Sequence, residues 1–110
     1  MRESQIEAYL AKRAKELGGE VRKVQWVGRR SAPDRLVMLP YGRMETFRDG
    51  KLVPARPNTI WVELKNPETI KTFPADARER AQHREHERMR KLGQRVEVIG
   101  TIEQVDELLK

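Results

Sequence analysis

A carboxylate and an ammonium stand two residues apart at Glu63 and Lys65, closing the apolar run Ile60-Trp61-Val62 and lying downstream of a second carboxylate in Pro33-Asp34. Successive side chains of a strand point to opposite faces. Glu63 and Lys65 therefore share one face, and Ile60, Val62 and Leu64 take the other. Such a pair, joined by a carboxylate from another strand, can hold a divalent metal and a phosphate. A hard cation such as Mg²⁺ takes oxygen ligands and keeps several waters. It can activate a water and stabilise the charge that builds on a scissile phosphate. The triplet alone is weak evidence, because acidic-x-Lys is common at ordinary charged-residue frequencies and recurs at Asp49-Gly50-Lys51. That second copy reads as a hairpin turn, with Asp-Gly set between Thr46-Phe47-Arg48 and Lys51-Leu52-Val53. Glu63-Leu64-Lys65 contains no turn residue and keeps β-branched and aromatic company. Its plain alternative is a strand whose outer face is simply polar.

The elements that must position these residues follow from periodicity. Ile6, Leu10, Ala14 and Leu17 recur at helical spacing and predict a first helix over 4–17. Ser4 and Glu7 form an S-x-x-E capping box, and Gly18-Gly19 supplies the stop. A strand over 20–27 carries Val21, Val24, Trp26 and Val27. A basic loop follows from Gly28 to Pro33. Asp34 opens the next strand, which runs through Leu36, Val37, Met38 and Leu39 and closes at Pro40. Residues 41–58 read as a hairpin insert. The third core strand is 59–65, ended by Asn66-Pro67 because proline cannot continue a ladder and restrains the residue before it. A long helix runs from about Pro74 to Leu92, with Gly93 as its stop. The last strand is 95–99, and a Thr101–Gln104 capping box opens a terminal helix through Leu109. The strand–helix–strand passage over 59–99 predicts two parallel strands with a right-handed crossover. The shorter connections before it allow antiparallel pairing. The expectation is one α/β (mixed α+β) domain over 1–110, a four-stranded mixed sheet flanked by helices in the order αβββαβα.

Bulk composition narrows the partners. The chain has 110 residues, 36% charged and 37% hydrophobic, with a formal net charge of +6. One domain with a modest core fits that length. The excess of cations points to a polyanion, nucleic acid first. There is no cysteine, which excludes disulfides and thiolate metal sites. His83 and His86 lie three apart, but a zinc site needs further ligands and the neighbours are mostly arginines. No apolar run approaches the ~20 residues of a membrane span, and no signal peptide is apparent. The expected location is cytoplasmic, in the host cell if the protein is phage-encoded.

The order and placement of these motifs resemble the PD-(D/E)XK nuclease superfamily, with its restriction-endonuclease-like core, and more narrowly the VRR-NUC domain. The matching residues are Glu7 in the first helix, Pro33-Asp34-Arg35 at the second strand, Val62-Glu63-Leu64-Lys65 in the third, and Gln82 in the helix that follows. Leu92-Gly93-x-x-Val96-x-Val98-Ile99 fits the family's helix-to-strand passage. The resemblance covers nearly the whole chain and is that of a stand-alone VRR-NUC protein, a type found in phages and bacteria. Two features depart from it. The insert at 41–58 is longer than the core needs, and Arg30-Ser31-Ala32 precedes Pro33 where a glycine is expected.

The resemblance implies a metal-dependent DNA endonuclease. Mg²⁺ or Mn²⁺ would be held by Asp34, Glu63 and the backbone carbonyl of Leu64, with Glu7 reaching it directly or through water. Lys65 would act on the nucleophile or the developing phosphorane, and Gln82 would orient Lys65 or a water. It further implies branched DNA as substrate, four-way (Holliday) junctions first, cut by a homodimer that could use the insert, with Phe47, Leu52 and Val53, as its interface. Each residue also has a structural alternative. Asp34 can shape a turn, Lys65 can be solvated, Glu7 can serve only the cap, and Gln82 can be a buried-edge glutamine. Arg22, Lys23, Arg29, Arg30, Arg35 and Arg43 are the cations least offset by acids and are assigned to phosphate contacts. Those of the long helix, interleaved with Glu79, Glu85 and Glu87, can form a solvated face laced with i,i+4 pairs. The competing function is a basic nucleic-acid-binding module without catalysis.

Overall fold

The stripe of Ile6, Leu10 and Ala14 is fully buried and defines the inner face of α1 (Glu3–Glu16). The computed structural model describes residues 1–40, 45–54 and 58–110, and within 45–54 only the side chains of 49–51. The helix starts two residues earlier than the Ser4 capping box predicts, with Arg2 as its N-cap. Gln5 Oε1 accepts the Arg2 N–H at 2.6 Å, so Gln5 fills the role expected of Glu7 and leaves the Glu7 carboxylate available elsewhere. At the other end Gly18 has φ +82°, and the Gly19 N–H reaches back to the Ala14 carbonyl at 2.8 Å. That is a Schellman closure, which needs the left-handed residue glycine supplies.

β1 (Glu20–Lys23), β2 (Arg35–Met38), β5 (Thr59–Leu64) and β6 (Val96–Ile99) form a four-stranded sheet in the order β1-β2-β5-β6. The first two pairings are antiparallel and β5–β6 is parallel, as the sequence predicts. β1 is shorter than the expected 20–27. Beyond Lys23 only Val24 N still reaches Asp34 O, at 2.9 Å, and the chain then folds over so that the Trp26 indole donates to the Pro33 carbonyl at 2.8 Å. In the insert, β3 (Glu45–Arg48) and β4 (Lys51–Pro54) form their own two-stranded sheet. Asp49 and Gly50 both have positive φ, 52° and 76°, as a type I′ hairpin turn requires.

The crossover from β5 to β6 holds two helices. Asn66 does more than end the strand: its side chain caps a short α2 (Pro67–Ile70) through Glu68 N and Thr69 N. α3 (Ala77–Lys91) begins at Asp76 rather than Pro74, because Asp76 Oδ1 accepts the Glu79 N–H at 2.8 Å and supplies the cap. α4 (Ile102–Leu108) is capped by Thr101 as expected, and Gln104 Oε1 accepts the Gly100 N–H at 2.7 Å.

The two faces of the sheet differ in chemistry. Val37, Ile60, Val62 and Leu64 pack with α1 and α4 in one apolar cluster. The opposite face carries Trp61, Glu63 and Lys65 and is covered by α3, whose buried residues are Glu79, Gln82, His86 and Met89. The polar layer lies on that side. Gly100 fixes the sheet end where β5 and β6 deliver this layer. A Cβ there would stand 2.6 Å from Ile70 Cβ and 2.7 Å from the Asn66 carbonyl oxygen. Gly100→Ala is therefore expected to destabilise the fold by about 1–3 kcal/mol, the usual range for overpacking. The drop would be read as a lowered midpoint in urea, and an unchanged midpoint would show that the approach is not tight.

Candidate active site

The pairing of β2 with β5 decides where the candidate residues meet. Arg35 pairs Val62 and Val37 pairs Ile60, and Leu39 N donates to Asn58 O at 2.7 Å. On β5 the even-numbered residues thus direct their backbone groups to β2. Continuing the register one step sets Asp34 opposite Glu63. A second step sets Pro33 opposite Leu64. Proline has no N–H, so β2 offers the Leu64 carbonyl no ladder donor. The ladder must end there, and the fork it leaves carries two carboxylates and a carbonyl oxygen.

Glu63 and Lys65 do share one face, and α3 supplies partners to both. The Glu63 carboxylate meets His86, with Oε1 3.2 Å from Nε2. His86 is 0% exposed and its Nδ1 is buried without a partner among the described residues. A carboxylate can only accept, so the proton sits on Nε2. The bare nitrogen is then Nδ1, and an unfilled lone pair costs less than an unfilled N–H. Phe73 stacks on the imidazole, 6.0 Å between centroids.

Lys65 is 7% exposed, so the solvated alternative does not hold. Its Nζ donates to Gln82 Oε1 at 2.9 Å, lies 3.2 Å from Glu79 Oε2, and sits 5.1 Å from the Phe73 ring centroid. Glu79 Oε1 accepts the Ala75 N–H at 2.9 Å, so each carboxylate oxygen has its own task. Each polar group of this pair is buried and has a partner, as a buried polar group requires.

Glu7 and Asp34 meet through Arg35. Arg35 Nη2 lies 2.6 Å from Glu7 Oε2 and Nη1 lies 2.8 Å from Asp34 Oδ1. Burial would lower the guanidinium, but hydrogen bonding and attraction from Glu7 and Asp34 outweigh it and hold Arg35 above its ordinary range. Arg35, expected at phosphate contacts, is here engaged with carboxylates of its own chain. Its side chain is 12% exposed and both ends of the fork have carboxylate partners. Glu7 is likewise not the capping residue.

Among the described residues no three acidic or histidine side chains gather tightly enough to hold a metal by themselves. The predicted ligands divide into Asp34 and Glu63 at the strand fork, and Glu7 reached through Arg35. Two carboxylates and a carbonyl still suit Mg²⁺ or Mn²⁺, since such ions are held by one or two carboxylates and complete their shell with water.

No family model matches the chain, and neither does any curated protein. Among solved structures it is similar to one described as a VRR_NUC domain, with 36% identity over 97% of this chain and 92% of that one, at a TM-score of 0.67. The chain belongs to the VRR-NUC family. VRR-NUC domains are nucleases, and the mixed α/β architecture found here is theirs.

Within this VRR-NUC domain two inward residues escaped the sequence reading. In sequence Glu79 reads with the interleaved acids of a solvated face, and His86 reads as a poor zinc candidate that shares a helical face with Gln82 and Met89. Both lie on the stripe Glu79, Gln82, His86, Met89, at helical offsets of three, seven and ten. Extending the Gln82–His86–Met89 face one turn back reveals Glu79. The assigned phosphate contacts are scattered. Arg22 pairs Glu20, Arg29 pairs Glu85, Lys23 and Arg30 are exposed, and Arg43 lies outside the described residues.

The Lys65–Glu79 pair can be tested on stability alone. Lys65→Met and Glu79→Gln should each destabilise, because a buried partner is left unmatched, typically by about 3–5 kcal/mol when a buried pair is broken. The double variant should lose less than the sum, with a coupling of ~0.5–3 kcal/mol. Additive losses in denaturant titrations would mean that the two charges do not interact.

Proposed function

We propose that this protein is a Mg²⁺- or Mn²⁺-dependent DNA endonuclease that acts on branched DNA, four-way junctions first, as a homodimer. The observation that carries this reading is the fork beyond Arg35 and Val62, where Asp34, Glu63 and the Leu64 carbonyl adjoin a buried, charged Lys65. Membership of a nuclease family supports the hydrolytic class. The metal would supply water activation and polarisation of the scissile phosphate. Asp34, Glu63 and the Leu64 carbonyl would hold it, with Glu7 at its outer side.

The protein's own groups have distinct parts. Lys65, paired with Glu79 and aimed by Gln82, would stabilise negative charge on the phosphorane. His86 would fix the rotamer of Glu63 through Nε2–H. Arg35 would hold the Glu7 and Asp34 side chains in place. Exposed cations would bind phosphates and confer little base specificity.

Asp34→Asn and Glu63→Gln are expected to abolish metal-dependent nicking of a four-way junction while retaining the DNA in gel shifts. Lys65→Ala should lose ~10²–10³-fold in rate, the usual effect of removing one transition-state donor. Cutting by either carboxylate variant at the wild-type rate with Mn²⁺ would refute the ligand assignment. Retention of DNA without any nicking by the wild type would favour a non-catalytic binding module.

Two like strands of a junction call for two matched sites, which a two-fold dimer provides. The protein should therefore sediment as a dimer. Mixed dimers with one Glu63→Gln subunit should nick one strand without resolving the junction in that encounter. A monomer at micromolar concentration, with or without DNA, that still makes paired cuts would exclude this assembly.

A further inference from the structure

Many of this protein's arginines are matched internally. Arg13, Arg22, Arg29, Arg35, Arg90 and Arg95 each form an ion pair with a carboxylate. Arg30, Arg84, Arg88 and Lys91 form none among the described residues, and all four line one open cavity of about 740 Å³ between the 28–32 loop and the outer side of α3, which Glu85 and Glu87, paired to Arg29 and Arg90, also line. Arg84, Arg88 and Lys91 recur at i, i+4 and i+7. They make a cationic stripe about 10 Å long on a helix that rises 1.5 Å per residue.

This cavity is one part of a longer groove. Through Ser31 it adjoins a second cavity of about 660 Å³ lined by Lys23, Trp26, Arg29 and Asp34. Through Arg88 it adjoins a third, of about 300 Å³, lined by Trp26, Trp61 and Leu92. The groove therefore begins at a carboxylate of the candidate active site. It passes two indoles whose centroids are 5.1 Å apart and ends on the α3 stripe. Leu92, which lines the third cavity, stands open at 73% exposure.

Duplex DNA presents phosphates outward and its base faces are stacked away, so cations alone would serve it. A groove that alternates cations with half-buried indoles suits a strand whose bases are unpaired, because any base can stack on an aromatic ring while its phosphates meet the cations. We propose that this groove holds a single-stranded DNA arm leading away from the active site, with its bases against Trp26 and its phosphates on Arg30, Arg84, Arg88 and Lys91. The inference rests on the nuclease reading above and, within branched DNA, moves the preferred substrate from the fully paired four-way junction to a branch with an unpaired segment. The Arg29–Glu85 ion pair, 3.0 Å across from loop to helix, fixes the width of the groove.

The test measures binding in EDTA, where metal-dependent cutting does not intervene. Labelled oligo-dT and a duplex of equal length are titrated at several salt concentrations. Replacing Arg84, Arg88 and Lys91 together by Ala should weaken oligo-dT binding by roughly tenfold or more and reduce its salt slope by about two units, at ~0.7 per contact on a single strand. Duplex affinity should change less than twofold. Removing the same charge at Lys12, Lys15 and Lys71 should leave oligo-dT affinity in place. The replaced side chains are all exposed, and thermal melts of both triple variants would establish that they fold. Oligo-dT should also quench the wild-type indole emission, and duplex should not.

Unchanged oligo-dT affinity in the Arg84/Arg88/Lys91 variant would overturn the proposal, and so would an equal loss in the control variant. Equal losses for duplex and single strand would assign the surface to duplex instead. Absence of the quench would remove Trp26 from the contact. Failure of the wild type to cut any DNA with Mn²⁺ would sink the nuclease reading by a separate measurement, without altering these binding outcomes.

Discussion

The end of the β2–β5 ladder is the constraint on which the rest of the site depends. Antiparallel pairing holds as far as Arg35 and Val62. The next backbone-bonded step would require an N–H from Pro33, which proline lacks. The sheet must therefore open between its two central strands at that point. Opening there leaves Asp34 and Glu63 on neighbouring strands beside an unladdered Leu64 carbonyl. A longer ladder would tie up the same oxygen. The Trp26 indole closes the loop by bonding the Pro33 carbonyl at 2.8 Å, so the residue that ends the ladder is itself held in place.

Burial of charge organises the face beneath α3. An apolar layer would give more stability per unit area, and this protein has one on its α1–α4 side. Under α3 the layer is polar, and each buried polar group depends on its neighbour. Lys65 has Glu79 and Gln82, Glu63 has His86, and Glu79 also takes the Ala75 N–H. Such a layer is weak evidence of stability, since desolvation offsets much of the attraction. Its value lies in geometry, because each side chain has few satisfied alternatives. That is the rigidity that a group acting on a phosphate requires. Arg35 performs a comparable task on the α1 side, where it gathers Glu7 and Asp34.

The positive charge of the chain is distributed unevenly in effect. A formal net charge of +6 says that a polyanion is a fitting partner, but not where it lies. Internal pairing absorbs part of the cationic surface and leaves the α3 stripe unmatched among the described residues. Of the acids interleaved along α3, one is buried, and the two that share the cavity with the stripe are each engaged by another arginine. Glu79 turns inward to Lys65, Glu85 reaches Arg29, and Glu87 takes Arg90.

The sequence by itself determined the elements and their order. The Ile6–Leu10–Ala14 stripe, the Asp49-Gly50 turn, the alternation through Glu63 and Lys65, and the Thr101 cap are all local patterns, and each formed as its period or turn chemistry requires. The strand–helix–strand passage fixed the parallel pair by chain handedness. The tertiary structure alone decided which charges meet. Glu7 reads as a cap in sequence, yet Gln5 takes that place and Glu7 joins Arg35, which lies on another element. Glu79 reads as a surface residue until α3 is laid on the polar face of the sheet, and only that packing sets His86 against Glu63. Whether a charge is matched or free depends on what lies across a distance of a few ångströms between elements remote in sequence. No local period encodes that distance, so the partners of Lys65, Glu63 and Arg35 emerge only when the sheet and helices are packed.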